Sequence, residues 1–80
     1  MAGPVCSSRE AVAQRLAQGY GEAPVAAGVA ADGALIELYL SATGSFTLVV
    51  TRPGGLACLM AVGEGWEPVS RPAPATEKET

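Results

Sequence analysis

Three glutamates are the residues of this chain whose type and setting could support acid–base chemistry. Glu37 lies in a strand-like run, while Glu64 and Glu67 flank Trp66, the only tryptophan. Two carboxylates can act as an acid and base pair on a glycoside. Glutamates in a glycine turn are usually just solvated, however, and the chain has neither a histidine nor a Gly-x-Ser-x-Gly motif. We therefore predict no catalytic residue and no enzymatic activity, with a small carboxylate-based hydrolase as an alternative.

The two cysteines, Cys6 and Cys58, raise a second chemical question. Cys6 comes just before a predicted helix, and Cys58 lies on the sheet face that we expect this helix to cover, so the sulfurs could come within bonding reach. A disulfide would close a loop of about 50 residues and contribute about 4 kcal/mol. The alternative is two buried, reduced thiols. Two sulfurs without histidine or paired spacing make a poor ligand set, so we predict no metal and no cofactor.

A capping box and a glycine stop predict the helix. The Ser7 hydroxyl can accept a hydrogen bond from the Glu10 amide, while the Glu10 carboxylate reaches back to the Ser7 amide. Gly19 offers a left-handed stop. Between them, apolar residues at helical spacing form a narrow stripe. The pattern indicates a helix over residues 8–18 that covers one face of a sheet.

Four strand-like runs, joined by glycine turns, predict that sheet. They lie at residues 25–31, 35–41, 45–52 and 56–62, and their composition is typical of strands. Connections this short join antiparallel neighbours. The predicted fold class is therefore α+β, with one N-terminal helix packed on a four-stranded antiparallel β-meander in the order 1-2-3-4.

The turns also predict the register of the strands. Three-residue loops at 42–44 and 53–55 place the large apolar side chains of neighbouring strands on one face, whereas Asp32-Gly33 is a two-residue hairpin signal. The predicted pairs are Leu38 with Leu48, Val50 with Cys58, Leu48 with Met60, and Val29 with Ile36.

This register gives the sheet two faces of different character. The predicted inner face, under the helix, includes Ile36, Leu38, Leu40, Phe46, Leu48, Val50, Cys58 and Met60. The predicted outer face is half polar and includes Leu35, Glu37, Tyr39, Thr47, Val49, Ala57 and Leu59. Its apolar members would form a larger patch than a free monomer usually shows. We therefore predict a binding surface there.

The predicted binding residues on this outer face are Tyr39, Thr47, Val49 and Leu59. Trp66 is predicted to plug an edge of the core. Its alternative role is that of an exposed anchor for a partner, in which case it joins these binding residues.

Length and composition limit what the chain can be. Its 80 residues, 49% hydrophobic and 16% charged, predict one small domain at 6–68, between a flexible N-terminus at 1–5 and a disordered tail at 69–80. No run reaches the about 18 uninterrupted apolar residues of a transmembrane segment. A net charge of -3 without a basic cluster argues against nucleic acid as a partner.

Six short motifs follow one another along the chain and carry a resemblance to a group of known proteins. They are Cys6-Ser7-Ser8-Arg9, Leu16, Tyr20-Gly21-Glu22, Gly44-Ser45-Phe46-Thr47, Gly55-Leu56-Ala57-Cys58-Leu59 and Gly63-Glu64-Gly65-Trp66. On these motifs the chain resembles a group of short exported proteobacterial proteins, mostly of uncharacterised function. The resemblance implies a periplasmic or secreted location, with a signal peptide already removed, and a structural disulfide. It implies no activity.

Together these observations predict a small exported domain that acts as a non-enzymatic protein-binding or accessory module through its outer sheet face. The partner would be another protein or a second copy of the chain. The main alternative is an inhibitor of an extracellular hydrolase, which would present the glycine-rich loops at 53–55 and 63–67.

Overall fold

One helix and a five-stranded antiparallel sheet make up the fold, as a computed structural model that describes residues 5–69 shows. The elements are β1 (Val5–Ser7), α1 (Arg9–Tyr20), β2 (Ala23–Val29), β3 (Leu35–Leu40), β4 (Phe46–Thr51) and β5 (Ala57–Gly63). The strand order is β1-β5-β4-β3-β2. The α+β class and the antiparallel meander are confirmed. The predicted four-stranded order is incomplete, because β1 adds a fifth strand beside β5.

The ends of the chain were predicted to be a flexible N-terminus at 1–5 and a disordered tail at 69–80. Almost all of both segments lies outside the described residues. Val5 is the exception at the start, since it pairs with Leu59 in the sheet and belongs to the domain. Within residues 5–69, no helix has the length and apolar character that a membrane crossing requires.

Helix α1 begins one residue later than the predicted capping box. Ser8 is the N-cap, and its hydroxyl accepts a hydrogen bond from the Ala11 amide at 3.1 Å. Ser7 does not cap the helix, because it lies in β1 opposite Ala57. The short strand and the helix therefore follow each other directly.

The helix also ends two residues later than the predicted stop at Gly19. Gly21 adopts the left-handed conformation with φ 66°, and its amide donates to the Ala17 carbonyl. The next amide, of Glu22, donates to the Leu16 carbonyl at 3.1 Å. These two bonds satisfy carbonyls that the helix end would otherwise leave open.

The two C-terminal hairpins largely confirm the predicted register. The observed pairs include Leu40 with Phe46, Leu38 with Leu48, Ile36 with Val50, and Val50 with Cys58. The prediction of Leu48 opposite Met60 was wrong, because a bulge in β5 places Ala61 there. Such a bulge inserts one unpaired residue and bends the strand.

The first hairpin is shifted by one residue from its prediction. The Ala30 amide donates to the Ala34 carbonyl at 2.8 Å, which leaves a three-residue loop instead of the predicted two. Asp32 Oδ1 accepts from the Ala34 amide at 3.0 Å and stabilises this longer loop. Val29 consequently pairs with Leu35 and not with Ile36. Strand β2 is rich in alanine and glycine, so few large side chains fix its register.

The helix covers the face of the sheet that was predicted to be the outer one. This helix face consists of Glu37, Tyr39, Thr47, Val49, Ala57 and Leu59. Tyr39 and Val49 are 1% and 0% exposed and pack against Val12 and Leu16 of α1. Full burial of each such side chain contributes about 1.5–3 kcal/mol. The predicted inner and outer faces are therefore exchanged.

Hydrogen bonds between polar side chains favour the packing of α1 on this face of the sheet. Arg9, at the start of α1, donates two hydrogen bonds to Glu37 at 3.0 and 2.7 Å. Glu22, just after the helix end, accepts from Thr47 Oγ1 at 2.8 Å. The partners of Arg9 and Glu22, which are Glu37 and Thr47, lie on the helix face and not on the opposite side of the sheet. Ala57, which is fully buried, leaves room for the close approach of the helix.

Candidate functional site

The opposite side of the sheet is a broad apolar surface without a covering element in residues 5–69. This open face consists of Ile36, Leu38, Leu40, Phe46, Leu48, Val50 and Met60. The first six are half-buried, and Met60 is exposed. Strand neighbours, and Trp66 beside Phe46, provide that shielding, since the single described helix lies on the other side. An antiparallel sheet commonly has one solvated face, but such a face is normally polar.

The disulfide between Cys6 and Cys58 lies on this open face and is confirmed. The two residues are direct partners on the antiparallel strands β1 and β5, with a Cα–Cα distance of 4.0 Å. The bond was predicted for a different reason: a helix packed on the sheet was expected to bring Cys6 close to Cys58. The bond instead ties the short edge strand to the sheet, beside Val50 and Met60.

Aromatic side chains close one end of the open face. The rings of Phe46 and Trp66 meet edge to face, with their centroids 5.1 Å apart. Phe46 lies so close over Gly63 that a Cβ there would come within 2.7 Å of the ring, so a larger residue at this position would require the ring to move. Trp66 remains 42% exposed. It therefore packs against an edge of the sheet and still offers a surface to a partner.

A charged pair lies at the other end of the sheet. Arg52 donates to Asp32 at 2.8 Å and so links the β2–β3 loop to the β4–β5 connection. The Ala34 amide and the guanidinium of Arg52 lower the pKa of the Asp32 carboxyl. Both side chains are exposed, so the pair adds little stability. Arg52 lies at the edge of the open face, together with Val50, Cys58 and Met60.

The predicted binding residues occupy a different environment from the one expected. Tyr39, Thr47 and Val49 are buried under α1, and burial raises the pKa of the Tyr39 hydroxyl. Leu59 is half-buried against the same core. These four side chains do not form a free surface. Of the predicted set, Trp66 alone is exposed.

The three carboxylates considered for acid–base chemistry lie in different environments. Glu37 is buried and accepts both of its hydrogen bonds from Arg9. Glu64 and Glu67 are exposed, on the segment around Trp66. Within residues 5–69, no group of three or more metal-ligating side chains comes together.

A cleft beside the end of α1 is a feature that the sequence did not predict. Its volume is about 230 Å³, and its lining consists of Leu16, Tyr20, Glu22, Ser45, Phe46, Thr47, Leu59, Val62, Gly63 and Glu64. Glu22 is 3% exposed, although its place after the helix indicated only a linker. The hydroxyls of Ser45 and Thr47 donate to its two oxygens at 2.9 and 2.8 Å. The sequence feature that could have indicated Glu22 is an acidic residue directly after a helix C-terminus, where basic residues are favoured.

Comparisons with known proteins identify no relatives of this chain: no protein-family model, no curated protein and no solved structure matches it.

Proposed function

We propose that this protein is a non-enzymatic protein-binding module that works as a homodimer, with the open faces of two copies packed against each other. The observation that carries the proposal is the uncovered set of large apolar side chains on strands β3, β4 and β5. Two such sheets pack about 10 Å apart in a sandwich, with interdigitated side chains. The arrangement would give each copy the second layer that its sheet lacks.

The size of the open face suits such a dimer. Four strands of about six residues and one of three, about 4.8 Å apart and with about 3.3 Å per residue, give a plan area of about 430 Å². Because side chains corrugate the surface, its accessible area is larger than this plan area. Stable interfaces bury about 800 Å² of accessible surface per partner, so the dimer would have to bury almost the whole open face.

The composition of residues 70–80 argues against this segment as the cover. It contains serine, arginine, proline, alanine, threonine, glutamate and lysine, and no leucine, isoleucine, valine, methionine or aromatic residue. Such a segment has little apolar area with which to replace a second sheet. A second copy, in contrast, offers a surface of matching character, and a two-fold axis makes that surface self-complementary.

The Cys6–Cys58 bond supports an oxidising location for this dimer. Disulfides persist in secreted and periplasmic proteins and are rare in the cytosol. We infer that the domain is exported, which also agrees with the resemblance to short exported proteins.

Sedimentation equilibrium of three proteins tests the dimer. Leu48, in the middle of β4, contributes to the open face, whereas Gln14 is exposed on α1, on the other side of the sheet. The wild type and the control Gln14→Glu should have twice the 8.0 kDa mass of the chain. Leu48→Glu should be monomeric, because two buried, unpaired carboxylates would face each other.

Circular dichroism shows whether Leu48→Glu remains folded, and the milder Leu48→Ser replaces it if it does not. A wild type that stays monomeric at all accessible concentrations would overturn the proposal. A Leu48 variant that dimerises as strongly as Gln14→Glu would overturn it as well.

A further inference from the structure

The cleft beside the end of α1 contains a buried carboxylate without a counter-ion. Among residues 5–69, the ion pairs are Arg9 with Glu37 and Arg52 with Asp32, and neither involves Glu22. Its partners are two neutral hydroxyl groups. A carboxylate can accept about four hydrogen bonds, so capacity remains for a further donor. A charged group that is removed from water is normally paired with an opposite charge.

The surroundings of the cleft increase its negative potential. Helix α1 ends beside it, and the last turn of α1 contains no basic residue that would offset the partial negative charge of a helix C-terminus. Glu64 adds a second carboxylate to the lining. Each of these contributions favours a cation and disfavours an anion.

The walls of the cleft determine which cation would fit. Tyr20 and Phe46 supply aromatic rings, and Leu16, Leu59 and Val62 supply aliphatic contacts. Aromatic faces attract ammonium groups, and aliphatic walls fit an alkyl stem. A volume of about 230 Å³ is below the about 300–1,000 Å³ of sites for drug-sized ligands. It suits a single unbranched chain of a few carbons.

We propose that this cleft binds a primary ammonium group on a short alkyl stem, with Glu22 as the charged partner. The ammonium would donate to the Glu22 carboxylate between the hydroxyls of Ser45 and Thr47, and the stem would lie along Leu16 and Leu59. The chemistry is shared by a free alkylamine and by the side chain of a lysine in a partner. Its charged group, Glu22, lies on the helix side of the sheet, and Phe46 is the residue that the cleft shares with the open face.

Fluorescence of Trp66 provides the binding signal, because its ring contacts Phe46, which lines the cleft. Titration with pentylammonium should give a saturable change, whereas 1-pentanol, which has the same stem without the charge, should bind much more weakly. N-acetyl-lysine-N-methylamide separates the two sources. Tighter binding of this lysine analogue than of pentylammonium indicates a protein partner, and the reverse order indicates a free amine.

Matched variants test the role of the carboxylate. Glu22→Gln keeps an acceptor for the Ser45 and Thr47 hydroxyls and removes the charge, so it should weaken pentylammonium binding by about tenfold or more. Glu10→Gln makes the same change of net charge at an exposed position in the first turn of α1 and should bind like the wild type. Ligand-induced increases in melting temperature should follow the same order.

Two results would overturn the proposal. One is the absence of saturable pentylammonium binding to the full chain. The other is equal binding by the wild type and Glu22→Gln, with only the melting temperature of the ligand-free protein changed. In that second case Glu22 would have a purely structural role as a hydrogen-bond acceptor.

Discussion

Arg9 donates two hydrogen bonds to the carboxylate of Glu37, at 3.0 Å from Nε and 2.7 Å from Nη2, and this pair joins the first turn of α1 to the centre of strand β3. Glu37 raises the pKa of the Arg9 guanidinium through these bonds and through its charge. The carboxylate is buried, while about half of the arginine side chain is exposed. The pair therefore determines the helix position more than it adds net stability.

Replacement of this arginine should be costly because it leaves the Glu37 carboxylate buried without its partner. We expect Arg9→Gln to lower the melting temperature clearly more than Arg15→Gln, a control at an exposed position on the same helix. The double variant Arg9→Gln/Glu37→Gln should recover part of the loss. Equal melting temperatures for the two single variants would mean that the pair does not hold the helix in place.

Two neighbouring valines distinguish the two faces of the sheet. Val49 is 0% exposed under the helix, and Val50 lies on the open face. In the monomeric Leu48→Glu background, Val49→Ala should cost about 2–3 kcal/mol of unfolding free energy, and Val50→Ala less than about 1 kcal/mol. Urea unfolding measures both. A larger loss for Val50→Ala would place the helix on the opposite face.

The disulfide should provide much of the stability of so small a domain. Cys6 and Cys58 are separated by 52 positions in sequence. On the chain-entropy model, closing a loop of this length contributes about 4 kcal/mol. The Cys6→Ala/Cys58→Ala variant should therefore unfold at a much lower denaturant concentration. Intact mass after alkylation without reductant provides the check on the bond itself, since two modified thiols in the native protein would contradict it.

The buried hydroxyl of Tyr39 predicts a loss of stability at alkaline pH. Burial raises the pKa of Tyr39 in the folded protein above the ordinary value near 10, so the unfolded state releases this proton first. The contribution of Tyr39 to the free energy of unfolding is therefore complete below pH of about 10. It decreases as the pH rises from there through the higher folded-state pKa. Tyr39→Phe should lose this part of the pH dependence, whereas Tyr20→Phe should keep it. Denaturant unfolding at several alkaline pH values compares the three proteins.

The hairpins β3–β4 and β4–β5 were predictable because local chemistry determines them. Their three-residue loops fix which residues are opposite, and the predicted pairs Leu38 with Leu48 and Val50 with Cys58 are correct. The disulfide was predicted correctly but on a wrong ground, since strand β1 and not the helix brings Cys6 to Cys58. The shifted first hairpin shows the limit of this approach, because an alanine- and glycine-rich strand carries little register information.

The choice of the covered face could not be predicted from the strand pattern. Both faces carry enough apolar side chains for a core, and the stripe on the helix is narrow. Which face the helix covers depends on contacts between residues far apart in sequence, such as Arg9 with Glu37. It also depends on Glu22, whose position after the helix predicted only a linker. The cleft was missed for the same reason, since its walls come from segments that are far apart in sequence.

The most direct test of the account is an isotope-filtered NOE experiment on a mixed sample of labelled and unlabelled wild-type protein. It detects contacts between two copies of the chain and not those within one. The account predicts intermolecular contacts among the methyl groups of Ile36, Leu38, Leu48 and Val50, and none to Val12 or Leu16 under the helix. A spectrum without intermolecular contacts on the open face, recorded at millimolar concentration, would contradict the proposed dimer.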